Sequence, residues 1–130
     1  MSISDRDISI LEHIVSHCNK IQASIERFGN NFGSFVNDSD FIDSVSMNLL
    51  QIGELSGKLS AEYVSKTSDS MSWRSIKCMR NMFAHDYGSM DIERIWETAI
   101  EDIPQLKSFC ENELSFDTNF DIEDGPTMSM

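Results

Sequence analysis

The sequence predicts an all-α protein, a compact four- to five-helix up-and-down bundle in a single domain. Three observations carry that expectation. Apolar residues recur at three- and four-residue steps through four segments, the period of helices with one buried face. Alternation of the strand type is weak. The chain has 130 residues with only 2 prolines and 6 glycines, enough for one domain and long stretches without helix breakers.

The first helix is expected from about Asp5 to Phe28. Ser4 can cap it, and Asp5 and Asp7 suit the positive end of its dipole. Ile8, Leu11, Ile14, Val15, Cys18, Ile21 and Ile25 make one apolar stripe, and Gly29-Asn30-Asn31 ends it. A second helix is expected from Ser39 as cap, with Ile42, Val45, Leu49, Ile52, Leu55 and Leu59 as its stripe. Gly53 and Gly57 lie inside that run, each costing up to about 1 kcal/mol of helix propensity relative to alanine. Close contact with another helix is the first explanation for them and a functional role the second. Lys66 to Ser70 reads as a polar connection. A third helix is expected over Met71 to Ala84, breaking near Gly88. A fourth starts at Asp91 as cap and carries Ile92, Ile95, Trp96, Ala99, Ile100 and Ile103, with Pro104 expected to kink or interrupt it. Residues 1–110 are read as the helical domain and 111–130 as an acidic, disordered C-terminal tail.

Composition narrows the function classes. Hydrophobic content of 40% and a charged fraction of 25% are ordinary for a globular protein. The net charge of −12 argues against nucleic-acid binding as a whole-molecule property, because phosphate neutralisation supplies much of that affinity. The charge is uneven, however. After Lys107 there is no basic residue and six acidic ones, Glu111, Glu113, Asp117, Asp121, Glu123 and Asp124. Cys18, Cys78 and Cys110 are odd in number and widely spaced, which fits reduced cytoplasmic thiols rather than a disulfide framework or a zinc site. Asp5, Arg6, Asp7 and Glu12 interrupt any signal-like apolar run, and no stretch approaches the roughly 20 apolar residues of a membrane span.

One segment stands apart. From Ser70 to His85 there is no acidic residue, while Arg74, Lys77 and Arg80 fall there. At about 100° per residue, Arg74 and Lys77 share one side of a helix with Asn81 and His85, and Ile76, Met79 and Phe83 point the other way. Arg80 lies at the edge of the apolar face. Three cations on a helix are by themselves most often a solvated face. The ordered string Arg80-Asn81-Met82-Phe83-Ala84-His85-Asp86-Tyr87 is more particular.

That string resembles the R-x-x-x-x-H-x-Y signature of the HepT-like branch of HEPN proteins. Its surroundings agree: QIGELSGKLS at 51–60 is similar to that branch's GE-containing helix, and the stretch from Ser72 to Pro104 to its core, with Ser72 where proline is usual. The resemblance covers about residues 5–110. It implies a HEPN fold, a metal-independent endoribonuclease without cofactor, a toxin of a toxin–antitoxin pair, and a two-fold homodimer with a composite cleft. It names Arg80 and His85 as catalytic. It also implies that a nucleotidyltransferase antitoxin of the MNT type transfers AMP to Tyr87.

The residue types suit that chemistry. In metal-free RNA cleavage the ribose 2′-OH attacks the adjacent phosphorus. A histidine can move protons near neutral pH, and an arginine fork can hold the charge that builds on phosphoryl oxygens. Asn81 is a supporting residue that could orient His85 or hold a phosphate oxygen. Arg74 and Lys77 are candidates for flanking phosphates, an inference from their placement rather than from the family motif. DNA lacks the nucleophile. Arg80 and His85 stand about 140° apart on a regular helix, so either the helix loosens near Ala84 or two protomers pool their motifs. AMP on Tyr87 would set an anion beside both residues and block RNA; the plain alternative is a tyrosine that packs at the helix end.

His13 and His17 stand at i, i+4, a spacing that can bind metal, but no third ligand is evident and no metal site is assigned. Glu54 interrupts an apolar run, either to approach the cleft or to face solvent. Trp73 and Trp96 are expected as core or interface anchors. Beside the toxin ribonuclease stands a second function: a non-catalytic HEPN partner subunit that docks a nucleotidyltransferase and binds nucleotide or RNA. A helical dimer with a decayed motif is a third, against which the intact Arg80 and His85 speak.

Overall fold

The computed structural model describes residues 3–81 and 91–124, with side chains as far as residue 116. The described residues are helical and contain no strand. The helices are α1 (Asp5–Phe28), α2 (Phe32–Val36), α3 (Ser39–Ser56), α4 (Ala61–Thr67), α5 (Trp73–Cys78), α6 (Ile92–Glu97) and α7 (Ile103–Asp124), with a π-helical turn at Thr98–Asp102 joining the last two.

Local chemistry sets most of these bounds. At the start of α1 the Asp7 N–H donates to Ser4 Oγ (3.1 Å), as the cap reading required. Gly29 closes the helix at φ 115°, a left-handed conformation that favours glycine, while its N–H reaches back to the Ile25 carbonyl. Asn31 caps α2 through the Ser34 N–H (2.8 Å). The cap of α3 is Asp38 rather than the expected Ser39, because its carboxylate takes two orphan N–H groups, those of Asp40 and Phe41. Asp91 caps α6 by accepting from the Arg94 N–H (3.2 Å), as expected.

Helix α1 is the centre of the bundle. Its packing on α3 is antiparallel, fixed by Ser24 Oγ 2.6 Å from Ser44 Oγ, His17 Nδ1 2.8 Å from Asn48 Oδ1, and Asp7 bonded to Ser60 just beyond α3. Its other flank takes α7, also antiparallel in sense, with Lys107 Nζ donating to Gln22 Oε1 (3.0 Å) and Cys110 beside Cys18. The shared core holds Leu11, Ile14, Cys18 and Ile21 of α1, Phe41, Val45, Leu49 and Ile52 of α3, and Ile95, Ile103, Leu106 and Cys110 of the C-terminal rod, all buried. Both tryptophans are anchors, as expected. Trp96 meets Phe35 and Phe41 at ring distances of 5.0 and 5.8 Å. Trp73 meets Phe109 at 5.7 Å and donates its indole N–H to Thr67 Oγ1 (2.8 Å).

The structure differs from the sequence reading at several places. Helix α2 lies in a stretch expected to connect, and the second helix stops at Ser56, with the short α4 following as a separate helix that runs into the polar connection expected from Lys66. Of the helix expected over Met71–Ala84, Trp73–Cys78 is regular, Met79 and Arg80 N–H groups turn to carbonyls three residues back, Asn81 is helical again, and the expected end at Ala84 and break near Gly88 lie outside the described residues. Pro104 comes with the expected interruption: the regular α-helix stops at Glu97 and resumes at Ile103. The π turn before it carries an Ile103 N–H to Thr98 carbonyl bond, a widening that accommodates the proline ring and its missing donor. Helix α7 runs from Ile103 to Asp124. No glycine or proline interrupts it after Pro104, and Glu113 is tied to the body by the Tyr63 hydroxyl (2.8 Å). No helix among the described residues is long and apolar enough to cross a membrane.

Candidate functional site

The site is built where α5 crosses α3. Trp73, Ile76 and Met79 are buried and fix the roll of α5. That roll leaves Arg74, Lys77 and Asn81 exposed and Arg80 at the boundary, the arrangement expected from helical spacing. His85 and Tyr87 lie outside the described residues, so the structure brings together Arg74, Lys77, Arg80 and Asn81 on one short stretch and is silent on the other two.

The seat of Arg80 is unusually close. A Cβ placed on Gly53 of α3 would stand 2.8 Å from the Arg80 backbone nitrogen, 3.2 Å from its Cβ and 3.3 Å from its Cα. Only a residue without a side chain lets the two backbones meet this way. Close contact, the first explanation offered for the glycine pair, therefore holds for Gly53. Gly57 is different. It is the C-cap of α3 at φ −69°, and an added Cβ would meet Lys77 Cε at an ordinary 3.7 Å.

The residue after Gly53 completes the seat. Glu54 Oε1 lies 3.7 Å from Arg80 Nη1, with the two side chains 45% and 43% exposed. Glu54 is thus both half-exposed and beside Arg80. An exposed pair of this length adds little to stability, but it biases the direction of the guanidinium. The contact was foreshadowed only by a carboxylate interrupting an apolar run; its partner lies 26 positions away in sequence and carried no local signal.

The other polar candidates resolve into structure. His13 Nδ1 lies 2.7 Å from the Ser9 carbonyl oxygen, and His17 Nδ1 bonds with Asn48 Oδ1 on α3. No group of three or more potential metal ligands occurs among the described residues. Burial pushes the Cys18 thiol up to about 12, and Cys110 is raised further for the same reason, aided by Cys18 itself. Both are core thiols, whereas Cys78 is exposed on α5. Burial, then the hydrogen bond to Glu113, raises Tyr63 as well.

An all-helical bundle presents a half-exposed arginine, seated on a glycine and faced by a glutamate, within a cationic stretch of an otherwise acidic chain. The comparisons define which kind of helical protein this is. Residues 12–113 match the family described as “Ribonuclease HepT-like”, and the chain belongs to that family. It is 35% identical over 98 residues to a protein of Caldanaerobacter subterraneus subsp. tengcongensis named “Putative RNase TTE0752”, a match that covers 75% of this chain and 84% of the relative. No solved structure matches it.

Proposed function

We propose that this protein is a metal-independent endoribonuclease that acts as the toxin of a toxin–antitoxin pair in the cytoplasm. The observation that carries the reading is the seat of Arg80. A merely solvated arginine has no need of a neighbouring glycine on which even a Cβ would come within 2.8 Å of its backbone nitrogen, nor of a carboxylate turned to its side chain. Membership of a ribonuclease family and the RNase name of the Caldanaerobacter relative give the substrate class.

In this reading the ribose 2′-oxygen attacks the neighbouring phosphorus and the 5′-oxygen of the next nucleotide leaves, giving a cyclic phosphate and a free 5′-hydroxyl. His85 takes the 2′-OH proton or protonates the leaving oxygen. Arg80 holds the non-bridging oxygens as their charge rises. Asn81 orients His85 or a phosphate oxygen, and Arg74 and Lys77 hold phosphates to either side. Two protomers pool their motifs in one cleft of a homodimer. A nucleotidyltransferase antitoxin of the MNT type silences the toxin by placing AMP on Tyr87, an anion that competes for the same cations.

The test is cleavage of mixed single-stranded RNA in EDTA by protein whose mass shows Tyr87 unmodified, with His85→Ala alongside. Cutting that persists in EDTA and is lost in the variant is the expected result. No cutting by the unmodified protein would overturn it. The net charge of −12 would then favour the second reading, a non-catalytic partner subunit that binds a nucleotidyltransferase and nucleotide or RNA.

A further inference from the structure

Beside the Arg80 seat lies a cleft of about 480 Å³ between α5 and the rod made by α6, the π turn and α7. Its size falls within the range of sites that enclose a small organic group, roughly 300–1,000 Å³. We propose that this cleft is a subsite for one nucleotide of the RNA, and that it favours a base whose edge offers N–H donors, guanine above all. The inference rests on the ribonuclease reading for its substrate and adds a place and a preference that the catalytic residues do not supply.

The lining divides by chemistry. Half-buried Met71, backed by the buried Ile76, Met79 and Leu106, gives an apolar side on which a base ring can lie. Around it stand Arg94, Asp102 and Gln105. The Gln105 amide donates its N–H to the Glu101 carbonyl (3.0 Å), which leaves its oxygen as an acceptor. Asp102 offers a carboxylate, an acceptor only. These two acceptors meet N–H groups, and the Arg94 guanidinium, a donor only, suits the O6 and N7 acceptors of guanine. The edge of guanine carries both a ring N–H and an amino group, where adenine and cytosine carry an amino group alone. The carboxylate also repels phosphate, so the backbone must pass elsewhere. Arg94 is exposed, and among the described residues neither its guanidinium nor the Asp102 carboxylate has a partner.

Position links the cleft to the chemistry. Met79 lines it, and Arg80 is the next residue. A base held here therefore sits close to the scissile phosphate in the chain of the RNA. The far wall exists because of Pro104: the π turn that accommodates the proline contributes both Thr98 and Asp102. π-type insertions in helices often occur at functional sites.

The test uses the full chain and single-stranded RNA octamers carrying one guanine at each position in turn. A second set has a 2′-deoxy nucleotide at the cut site, which can be bound but not cleaved. The wild type is expected to cut best with guanine at one fixed offset from the cut. Arg94→Ala is expected to raise KM about tenfold with kcat unchanged, the size of one lost charge-assisted hydrogen bond. Asp102→Asn is expected to flatten the guanine offset while cutting other octamers at the wild-type rate. Both residues are exposed, so unchanged thermal unfolding will confirm intact folds. Variants that keep the wild-type KM and offset preference would overturn the proposal. If no octamer is cut, the ribonuclease reading fails, and binding of the uncleavable set decides this one by itself. Binding weakened by Arg94→Ala and made indifferent to guanine by Asp102→Asn would support the cleft, and binding unchanged in both would refute it.

Discussion

Adding one methyl group at Gly53 separates the stability of this fold from its chemistry. In Gly53→Ala the new carbon would sit 2.8 Å from the Arg80 backbone nitrogen and 3.2 Å from its Cβ, neither of which can swing aside. To reach an ordinary contact of about 3.5 Å the end of α5 must retreat by about 0.7 Å. Overpacking of this kind costs about 1–3 kcal/mol, while replacing a mid-helix glycine by alanine returns about 1 kcal/mol. The net loss is at most about 2 kcal/mol, or a Tm lower by about 8 °C. Activity should suffer more, because displacements approaching 1 Å cost up to about a hundredfold in rate. We expect kcat/KM on RNA to fall at least about tenfold in protein that remains folded at 25 °C. Gly57→Ala is the control. Its nearest neighbours would be the Glu54 carbonyl oxygen at 3.5 Å and Lys77 Cε at 3.7 Å, so it should keep activity. The assay pairs initial rates with thermal unfolding by circular dichroism. Gly53→Ala matching Gly57→Ala in rate, or both losing activity alike, would refute the seat as the reason for the glycine.

Two further outcomes follow from the buried polar groups. Asp7, 2% exposed, accepts from the Ser60 N–H (2.9 Å) and hydroxyl (2.6 Å), joining the first turn of α1 to the cap of α4. Asp7→Ala strands those donors and should cost about 2–3 kcal/mol, read as a Tm lower by about 10 °C; an unchanged Tm would show the link to be idle. The raised thiols make a pH prediction. Cys18 is held at about 12 against 9.0 for a free thiol, so above pH 9 the unfolded chain gives up protons that the folded chain keeps. Cys110 and Tyr63 shift the same way. Stability should therefore be fully present below pH 9 and decline as pH rises from there toward 12, visible as a falling Tm. In native protein at pH 8 a thiol reagent should label Cys78 alone, and all three cysteines should label after unfolding; rapid native labelling of Cys18 would contradict its burial.

What could be read from the sequence was whatever repeats locally. The first helix was placed correctly at both ends because Ser4 and Gly29 are local signals acting on their own turn. The exposed line of Arg74, Lys77 and Asn81 followed from helical spacing alone. What could not be read depends on distant partners. The break after Cys78 occurs where Arg80 meets Gly53, and nothing between residues 71 and 84 announces that encounter. Asp7 was read as a first-turn acid on dipole grounds, but its burial is decided by Ser60. The tie of Glu113 on α7 to Tyr63 was hidden because the two lie 50 positions apart. Arg94 was missed for a plainer reason: an exposed cation on a short amphipathic helix looks like surface until a cleft is seen beside it.

The central place of α1 has a consequence for the order in which the protein can assemble. The bond from Gln22 to Lys107 closes 85 residues of chain, so one flank of the first helix waits for nearly the last helix to be made. During synthesis α1 and α3 can pair early, as N-terminal elements do. The groove that will take Ile103, Leu106 and Cys110 stays open until then. The arginine-bearing segment emerges before that groove is filled. A ribosome making this protein therefore works beside a site whose scaffold stays unfinished until Ile103, Leu106 and Cys110 have emerged.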